Sequence, residues 1–258
     1  MIDIADRPEI APELRLVPHA FRRTFGRPAE GVWYAPGVLN LLGGAVKVHA
    51  KWGAIVAGDR RDDGKLELVS VNRPTERALL PSTDVPAWAA PLAAFPGGAT
   101  LMCSVDLPQG SGLSAGEALR TAVGLALRDL AGNAHEEPEA AQLDLPGQRL
   151  LVVDTRVRRE KPQEERSFTP RTGDLGAALT AYHHAQDPDP VQDAVVKAAL
   201  AAGARGASML VDPPGRPAVA LVDADLVPAV KKAITKAAEI PPRYLTITPA
   251  RFRTEALR

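Results

Sequence analysis

The sequence predicts an α+β protein built from two domains, and three observations support this prediction. Strand-like segments dominate the N-terminal half, a strand, a small-residue turn and a long helix follow one another near the middle, and helices and short strands are mixed beyond residue 160. The 258 residues are also enough for two cores of ordinary size. Because residues 156–166 form a mixed-charge segment typical of a boundary, we expect an N-terminal domain at 1–160 and a C-terminal domain at 161–258.

Local patterns predict the individual elements. Apolar residues at helical spacing predict a first helix at 13–25, ended by Gly26. Apolar runs between turn residues predict strands at 32–42, 54–58, 65–71, 99–105, 150–154, 218–222 and 244–248. Helical periodicity recurs at 114–130, 175–182, 191–202 and 226–239, whereas the prolines between residues 81 and 96 allow only short helical turns there.

The composition excludes several classes of function. Lys plus Arg and Asp plus Glu each number 31, so no bulk charge would recruit nucleic acid or an anionic membrane. No apolar run reaches the roughly 18 residues of a membrane span, and the polar N-terminus differs from a signal peptide. The single cysteine, Cys103, lies in an apolar run and is expected to be buried, and the five histidines form no metal-ligand pattern. These features predict a cytoplasmic protein without disulfides.

The segment LPQGSGLSAGEAL at residues 107–119 is the strongest candidate site. Gly110, Ser111 and Gly112 separate a predicted strand from a helix that begins at Ser114. Backbone N–H groups without helical partners and the positive end of the helix dipole make such a junction an anion site, and glycine lets a phosphate approach the backbone closely. The pattern therefore predicts a phosphate-binding loop.

Two other interpretations fit the same residues. Ser114 with Glu117 three residues later is also an ordinary capping box at the start of a helix. Gly110, Gly112 and Ala115 match the GxGxxA dinucleotide fingerprint, although no clear second strand ending in an acidic residue follows at the required distance. The residues of this segment alone leave the phosphate-loop and capping interpretations open.

Four collinear segments carry a wider resemblance: FGRPAEGVWYAPGVLNLLGG at 25–44, WAAPLAAF followed by the 107–119 segment, RLLVVDTRVRREKPQEER at 149–166, and GAALTAYHHAQ with GARGASML after it. Together they resemble the galactokinase branch of the GHMP small-molecule kinases along nearly the whole chain. The resemblance implies an N-terminal α+β domain of the ribosomal-protein type, a ferredoxin-like C-terminal domain, and ATP phosphates held at residues 110–114. It also implies Mg²⁺-dependent phosphoryl transfer from ATP to the anomeric hydroxyl of a sugar.

At the end of the first segment and just after it, the charged residues of the family's first motif are replaced. Relative to the family pattern, Val38 replaces an arginine, Gly44 a glutamate and Lys47 the aspartate that holds the sugar, while Asn40 is retained. A valine cannot compensate phosphate charge, and a lysine cannot accept hydrogen bonds from sugar hydroxyls as a carboxylate does. Val38, Asn40, Gly44 and Lys47 therefore form a degenerate acceptor site.

One strand face near this site is positively charged. Lys47, His49 and Lys51 alternate along the chain, so a strand would place all three side chains on the same face. This face is either an ordinary solvated one or a site that favours an anionic ligand over a neutral sugar.

The other motifs are incomplete as well. Leu113 and its neighbours match the family loop, but Glu117 adds a carboxylate that would repel a phosphate. The family's catalytic aspartate has no matching segment, and Asp144, the one aspartate in the stretch available for it, is more simply a surface residue. The third motif is glycine-rich in the family but here contains Pro213 and Pro214, which predict a rigid turn that cannot wrap a phosphate.

The retained apolar pattern and the lost charges give three hypotheses. The first is a galactokinase-like protein, catalytically inactive or impaired, that binds a nucleotide or small anionic ligand weakly in a binding or regulatory role. The second is an active sugar kinase that uses ATP and Mg²⁺ and forms a sugar 1-phosphate through rewired residues. The third is a structural or interaction protein. We favour the first and assign no catalytic residue, metal or certain cofactor, and the sequence does not predict the oligomeric state.

Overall fold

The computed structural model describes residues 3–7, 10–107, 110–133, 143, 145–212, 214–248 and 255–257. The helices are α1 (Pro12–Phe25), α2 (Ala115–Leu130), α3 (Leu175–Ala185), α4 (Pro190–Ala201) and α5 (Val227–Ala237). The strands are β1 (Gly31–Leu41), β2 (Val46–Arg60), β3 (Leu66–Ser70), β4 (Arg73–Leu80), β5 (Ala99–Val105), β6 (Gln148–Asp154), β7 (Gly206–Met209), β8 (Ala218–Asp223), β9 (Arg243–Ile247) and β10 (Glu255–Leu257). Asp144 and Pro213, named above, lie outside the described residues.

The strands form two sheets. The first is six-stranded in the order β10-β1-β2-β5-β3-β4, with β3 parallel to β5 and the other neighbours antiparallel. The second is four-stranded and antiparallel in the order β7-β8-β6-β9. Helices packed on mixed and antiparallel sheets confirm the predicted α+β class.

The two sheets do not divide at residue 160. β6 precedes that residue but lies in the second sheet, and β10 follows β9 but pairs with β1 of the first sheet. The chain thus passes to the second sheet before β6 and returns to the first before β10. A domain boundary between residues 160 and 161 stays a prediction, and it does not coincide with the division between the sheets.

Strand β1 of the first sheet is buried on both faces, which explains its continuous apolar character. Val32 packs in one cluster with Phe21 of α1, whereas its neighbour Trp33 belongs to the cluster that contains α2. Trp33 is fully buried and its indole N–H donates to Asp129 Oδ2 of α2 at 2.8 Å. The α2 cluster continues into the second sheet through residues such as Leu150, so the two sheets share a core.

Most of the predicted elements are confirmed within a few residues, but three strands were missed. β4 is a charged edge strand, β7 consists of small residues, and β10 is only three residues long. These strands lack the apolar run or clear alternation on which a sequence pattern depends. The strand predicted at 54–58 is the second half of the longer β2. In the described part of the chain, no helix is both long and apolar enough to cross a membrane.

Cys103 in β5 is buried, as predicted from its apolar surroundings. Burial raises the pKa of its thiol to about 12, so the reactive thiolate is suppressed at neutral pH.

We expect Leu113→Ala to lower the free energy of unfolding by about 2–5 kcal/mol, because Leu113 is fully buried between the loop and the sheet and its loss leaves a cavity. The matched control is Leu16→Ala on α1, where the side chain is 69% exposed and the change should stay below about 0.5 kcal/mol. Urea unfolding followed by circular dichroism measures both. Equal losses for the two variants would contradict the core role of Leu113.

Candidate functional site

The loop of residues 110–114, called the loop below, lies between β5 and α2, and the core fixes its position. Leu113 is fully buried and bridges to Leu39 of β1. The N–H of Ser114 donates to the carbonyl of Val38 at 2.9 Å. The predicted sequence of strand, small-residue turn and helix is therefore confirmed, and the loop is tied to β1 by backbone contacts.

The capping box predicted for Ser114 and Glu117 is wrong. The Ser114 hydroxyl accepts a hydrogen bond from Asn40 Nδ2 at 3.0 Å, and within the described residues it makes no side-chain cap to α2. The Glu117 carboxylate accepts hydrogen bonds from Asn40 Nδ2 at 3.3 Å and from Lys47 Nζ at 2.9 Å. Donors on the first sheet thus engage both side chains in place of the local backbone N–H groups.

The four residues of the degenerate acceptor site occupy β1, β2 and the turn between them. Asn40 and Lys47 are cross-strand partners, and both reach the start of α2. Val38 is buried and contributes its carbonyl to the loop. Gly44 lies in the turn at a φ of 85°, and a Cβ added there would meet nothing within 4 Å. The structure therefore joins Val38, Asn40 and Lys47 to the loop.

Lys47 and Glu117 form an ion pair beside the loop. Burial opposes ionisation of Glu117, but the Lys47 ammonium and the Asn40 amide outweigh it and lower the pKa of the carboxyl below its ordinary value. The side chains of Lys47 and Glu117 stay 54% and 38% exposed, so the pair contributes less than about 1 kcal/mol to stability. Its main consequence is that each charge is already matched by the other.

The predicted positive face exists on β2, but its charges are engaged. Lys47, His49 and Lys51 alternate with buried residues of the strand. Lys47 pairs with a carboxylate, and Lys51 Nζ lies 5.0 Å from the ring centroid of Trp52. The face is therefore less positive than its sequence alone indicates.

A carboxylate that sequence reasoning missed lies beside the first motif. A Cβ added to Gly43 would lie 3.0 Å from Glu165 Oε1, and Gly43 also has a positive φ of 70°. The Tyr182 hydroxyl donates to the same oxygen, and burial together with Glu165 raises the pKa of that hydroxyl. Glu165 comes from the mixed-charge segment, where no local pattern singled it out.

A turn from the second sheet closes on the loop, and its first residue, Asp212, was also missed. The N–H of Gly112 donates to Asp212 Oδ2 at 2.7 Å. A Cβ on Gly215 would lie 1.9 Å from the carbonyl oxygen of Gly110, so the turn and the loop meet backbone to backbone. Gly110 and Gly112 adopt positive φ angles of 70° and 96°. An acidic residue in a motif that is glycine-rich in the resembling family was the available signal.

Hydrogen bonds to the mixed-charge segment hold this turn in place. The N–H of Arg159 donates to the carbonyl of Pro214 at 2.9 Å, and the Thr155 hydroxyl donates to the carbonyl of Arg216 at 2.8 Å. Residues 156–166, for which a helix face or a loop was expected, form a loop. The third motif therefore contains a turn that is anchored to a neighbouring segment, whereas the rigidity expected from its prolines stays a prediction.

Asp212 is partly buried next to a second carboxylate and an arginine. The Arg158 guanidinium forms two hydrogen bonds to the buried Asp154 carboxylate, at 2.8 and 3.1 Å. Burial raises the pKa of Asp212 to about 6, opposed by the Gly112 N–H and Arg158 and reinforced by Asp154. At pH 7 the Asp212 side chain is therefore mainly an ionised carboxylate placed on a backbone donor of the loop.

Several groups of the loop that a phosphate or Mg²⁺ would need are engaged by the chain itself. The N–H groups of Gly112 and Ser114 donate to acceptors of the chain itself, and the Ser114 hydroxyl is engaged by an amide. The Glu117 carboxylate is paired with an ammonium group. Among the described residues, no cluster of three or more His, Cys, Asp or Glu side chains could hold a metal ion.

Solved structures share this architecture. A galactokinase of Lactococcus lactis, crystallised with galactose, matches with a TM-score of 0.75 at 17% identity, covering 92% of this chain and 98% of that one. A mevalonate kinase of Methanococcus jannaschii matches with a TM-score of 0.60 at 11% identity, covering 87% and 99%. A homoserine kinase of Cytophaga hutchinsonii matches with a TM-score of 0.57 at 15% identity, covering 88% and 96%. The chain has the GHMP-kinase fold.

Within this fold, the sequence is similar to the galactokinases. The chain is 28% identical to a galactokinase of Streptomyces coelicolor, and the match covers 65% of this chain and 61% of that protein. It thus spans less than two thirds of the length of the curated relative it matches. No family model matches the chain. The resemblance to the galactokinase branch of the GHMP kinases, predicted from the motifs, is confirmed.

We expect Asp212 to make the stability of this GHMP-fold chain depend on pH between about 4 and 6. Its pKa is about 6 in the folded chain and about 4 in an unfolded one, so the folded state binds more protons in this window. The part of the free energy of unfolding that depends on Asp212 is therefore largest below about pH 4. It falls by up to about 3 kcal/mol as the pH rises to about 6.

Urea unfolding of the wild type and of Asp212→Asn measures this dependence. The variant does not titrate and keeps an acceptor for the Gly112 N–H, so the stability of the wild type relative to the variant should fall across the window. A difference between the two that stays constant from about pH 4 to about pH 7 would contradict the raised pKa of Asp212.

Proposed function

We propose that this galactokinase-like protein of the GHMP fold has lost or strongly impaired sugar-kinase turnover. We further propose that it acts as a binding or regulatory protein with weak affinity for a nucleotide or a small anionic ligand. The ion pair between Lys47 and Glu117 is the observation that carries the proposal. By resemblance, Lys47 stands at the position of the sugar-holding aspartate and Glu117 stands just after the phosphate loop.

The two members of the ion pair have the opposite chemical character from what phosphoryl transfer requires at their positions. The reaction needs an acceptor that positions the attacking hydroxyl and positive charge that compensates the phosphoryl oxygens. Lys47 offers only donors to a hydroxyl, and Glu117 brings negative charge to the first turn of α2. Val38, in place of an arginine, adds no compensating charge.

The retained start of α2 supports weak anion binding. A helix N-terminus favours negative charge, and a Cβ added to Gly116 in the first turn would meet nothing within 4 Å, so the backbone there is accessible. The neighbouring Glu117 carboxylate opposes a phosphate at the same place. These opposing effects favour millimolar rather than micromolar affinity, and a binding role that tolerates it.

We expect the purified chain, supplied with MgATP and galactose, to turn over far below the roughly 1–100 per second typical of kinases. A coupled assay of ADP release measures this rate, with the Lactococcus lactis galactokinase as the positive control. Thermal-shift titration with MgATP and with galactose 1-phosphate tests the binding role, because a ligand that binds only the folded state raises the melting temperature. Turnover in the ordinary range would contradict the loss of activity, and no shift with either ligand would contradict the binding role.

An active sugar kinase that uses ATP and Mg²⁺ and forms a sugar 1-phosphate is the second candidate, and Glu165 favours it. This carboxylate lies beside Gly43, next to the position where the resembling family has its glutamate. If turnover is found, we expect Glu165→Gln to reduce it at least about tenfold, because the amide loses the charge that would orient a hydroxyl. The matched control is Glu164→Gln, which removes the same charge from the adjacent exposed position. Equal activity of the two variants would exclude a specific role for Glu165.

A further inference from the structure

We propose that Asp212 is an internal anion that occupies the loop, so that the contact which Asp212 and Gly215 make with the loop is autoinhibitory and excludes a phosphate group until it opens. The inference rests on the proposed anion-binding role of the loop and adds how that binding is regulated. A free phosphate, or the phosphate chain of a nucleotide, would compete with the Asp212 carboxylate for the same backbone donor.

The first support is the position of the carboxylate. Asp212 Oδ2 accepts the Gly112 N–H at 2.7 Å, a distance typical of a charge-assisted hydrogen bond. The carbonyl of Asp212 accepts the N–H of Gly215 at 2.8 Å, so the turn that presents the carboxylate is closed by its own backbone. A loop N–H that could donate to an external anion therefore donates to a carboxylate of the chain.

The second support is the space left at the loop. Gly110 and Gly215 approach so closely that a Cβ on Gly110 would lie 2.8 Å from the Gly215 nitrogen. A phosphate group is far larger than a methyl group, so it cannot enter between the loop and the turn while this contact persists. The turn thus blocks the loop sterically as well as electrostatically.

The third support is the charge around Asp212. Among the described residues, the charged groups that act on its carboxylate are Arg158 and Asp154. Because Arg158 is hydrogen-bonded to Asp154 through two nitrogens, the net charge of this pair is near zero and Asp212 retains most of its negative charge. An approaching phosphate would meet like charge, which disfavours binding.

Two of the contacts that hold the turn come from neighbouring residues of the mixed-charge segment. The isolated bridge between Arg158 and Gly215 and the hydrogen bond from Arg159 to Pro214 tie the turn to one short segment of the chain. Movement of that segment would withdraw Asp212 from Gly112 and uncover the loop. The device therefore has two parts, an internal anion and the segment that positions it.

Isothermal titration calorimetry with metal-free tripolyphosphate tests the proposal on the whole chain at about pH 8, where Asp212 is ionised. We expect Asp212→Ala to bind tripolyphosphate at least about tenfold more tightly than the wild type, because loss of the hydrogen bond from Gly112 removes the competing charge and one of the contacts that hold the turn against the loop. The matched control, Asp225→Ala, removes an equal charge from an exposed turn after β8 and should bind as the wild type does. Tighter binding confined to the Asp212 variant supports the autoinhibitory contact.

Two results overturn the proposal: unchanged affinity of Asp212→Ala, or an equal gain in Asp225→Ala, which would indicate a general charge effect. Asp212→Asn preserves the shape of the side chain, and it should bind several-fold more tightly than the wild type if Asp212→Ala does not fold. The outcome is distinct from the test of the proposed function. Rapid phosphorylation of galactose by the wild type contradicts that function, whereas unchanged tripolyphosphate affinity contradicts the role of Asp212 alone.

Discussion

The backbone contact between Gly110 and Gly215 determines how the two sheets meet around the candidate site. A side chain on Gly215 would collide with the carbonyl oxygen of Gly110, at 1.9 Å from its Cβ, so this approach is available only to glycine. Once the contact is made, Asp212 lies within hydrogen-bond reach of Gly112. The loop is thereby enclosed between the sheet that anchors it and the turn that covers it. This enclosure limits which groups can reach the backbone N–H donors of the loop.

Internal pairing is the common property of the charges around this enclosure. Lys47 is matched by Glu117, and Arg158 by Asp154, while Asp212 accepts a backbone N–H. A buried charge without a partner is costly, and Arg158 provides a partner for the buried Asp154 carboxylate. A ligand-binding site keeps some of its donors and charges available for the ligand. Here the same kinds of groups are engaged within the chain, which is the physical basis of the proposed loss of turnover.

The sequence could predict the parts of this arrangement that depend on near neighbours in the chain. The periodicity of α1 and α2 and the glycines of the loop are local signals, and the structure places them as expected. Glu117 also carried a local signal, a capping box, but donors on the first sheet engaged it instead. The pairing of Lys47 with Glu117 spans 70 residues and that of Gly112 with Asp212 spans 100, so no spacing rule could find either. They depend on the tertiary packing of the two sheets.

Different residues fix the shape of the loop and its charge. Gly112 permits the backbone conformation, and Leu113 anchors the loop in the core. The charge beside the loop is set by Lys47, Glu117 and Asp212, none of which the core requires. Selection for a stable fold is therefore enough to retain the loop motif, while the electrostatics can change independently. The loop motif therefore identifies the scaffold, whereas the activity depends on the charged residues around it.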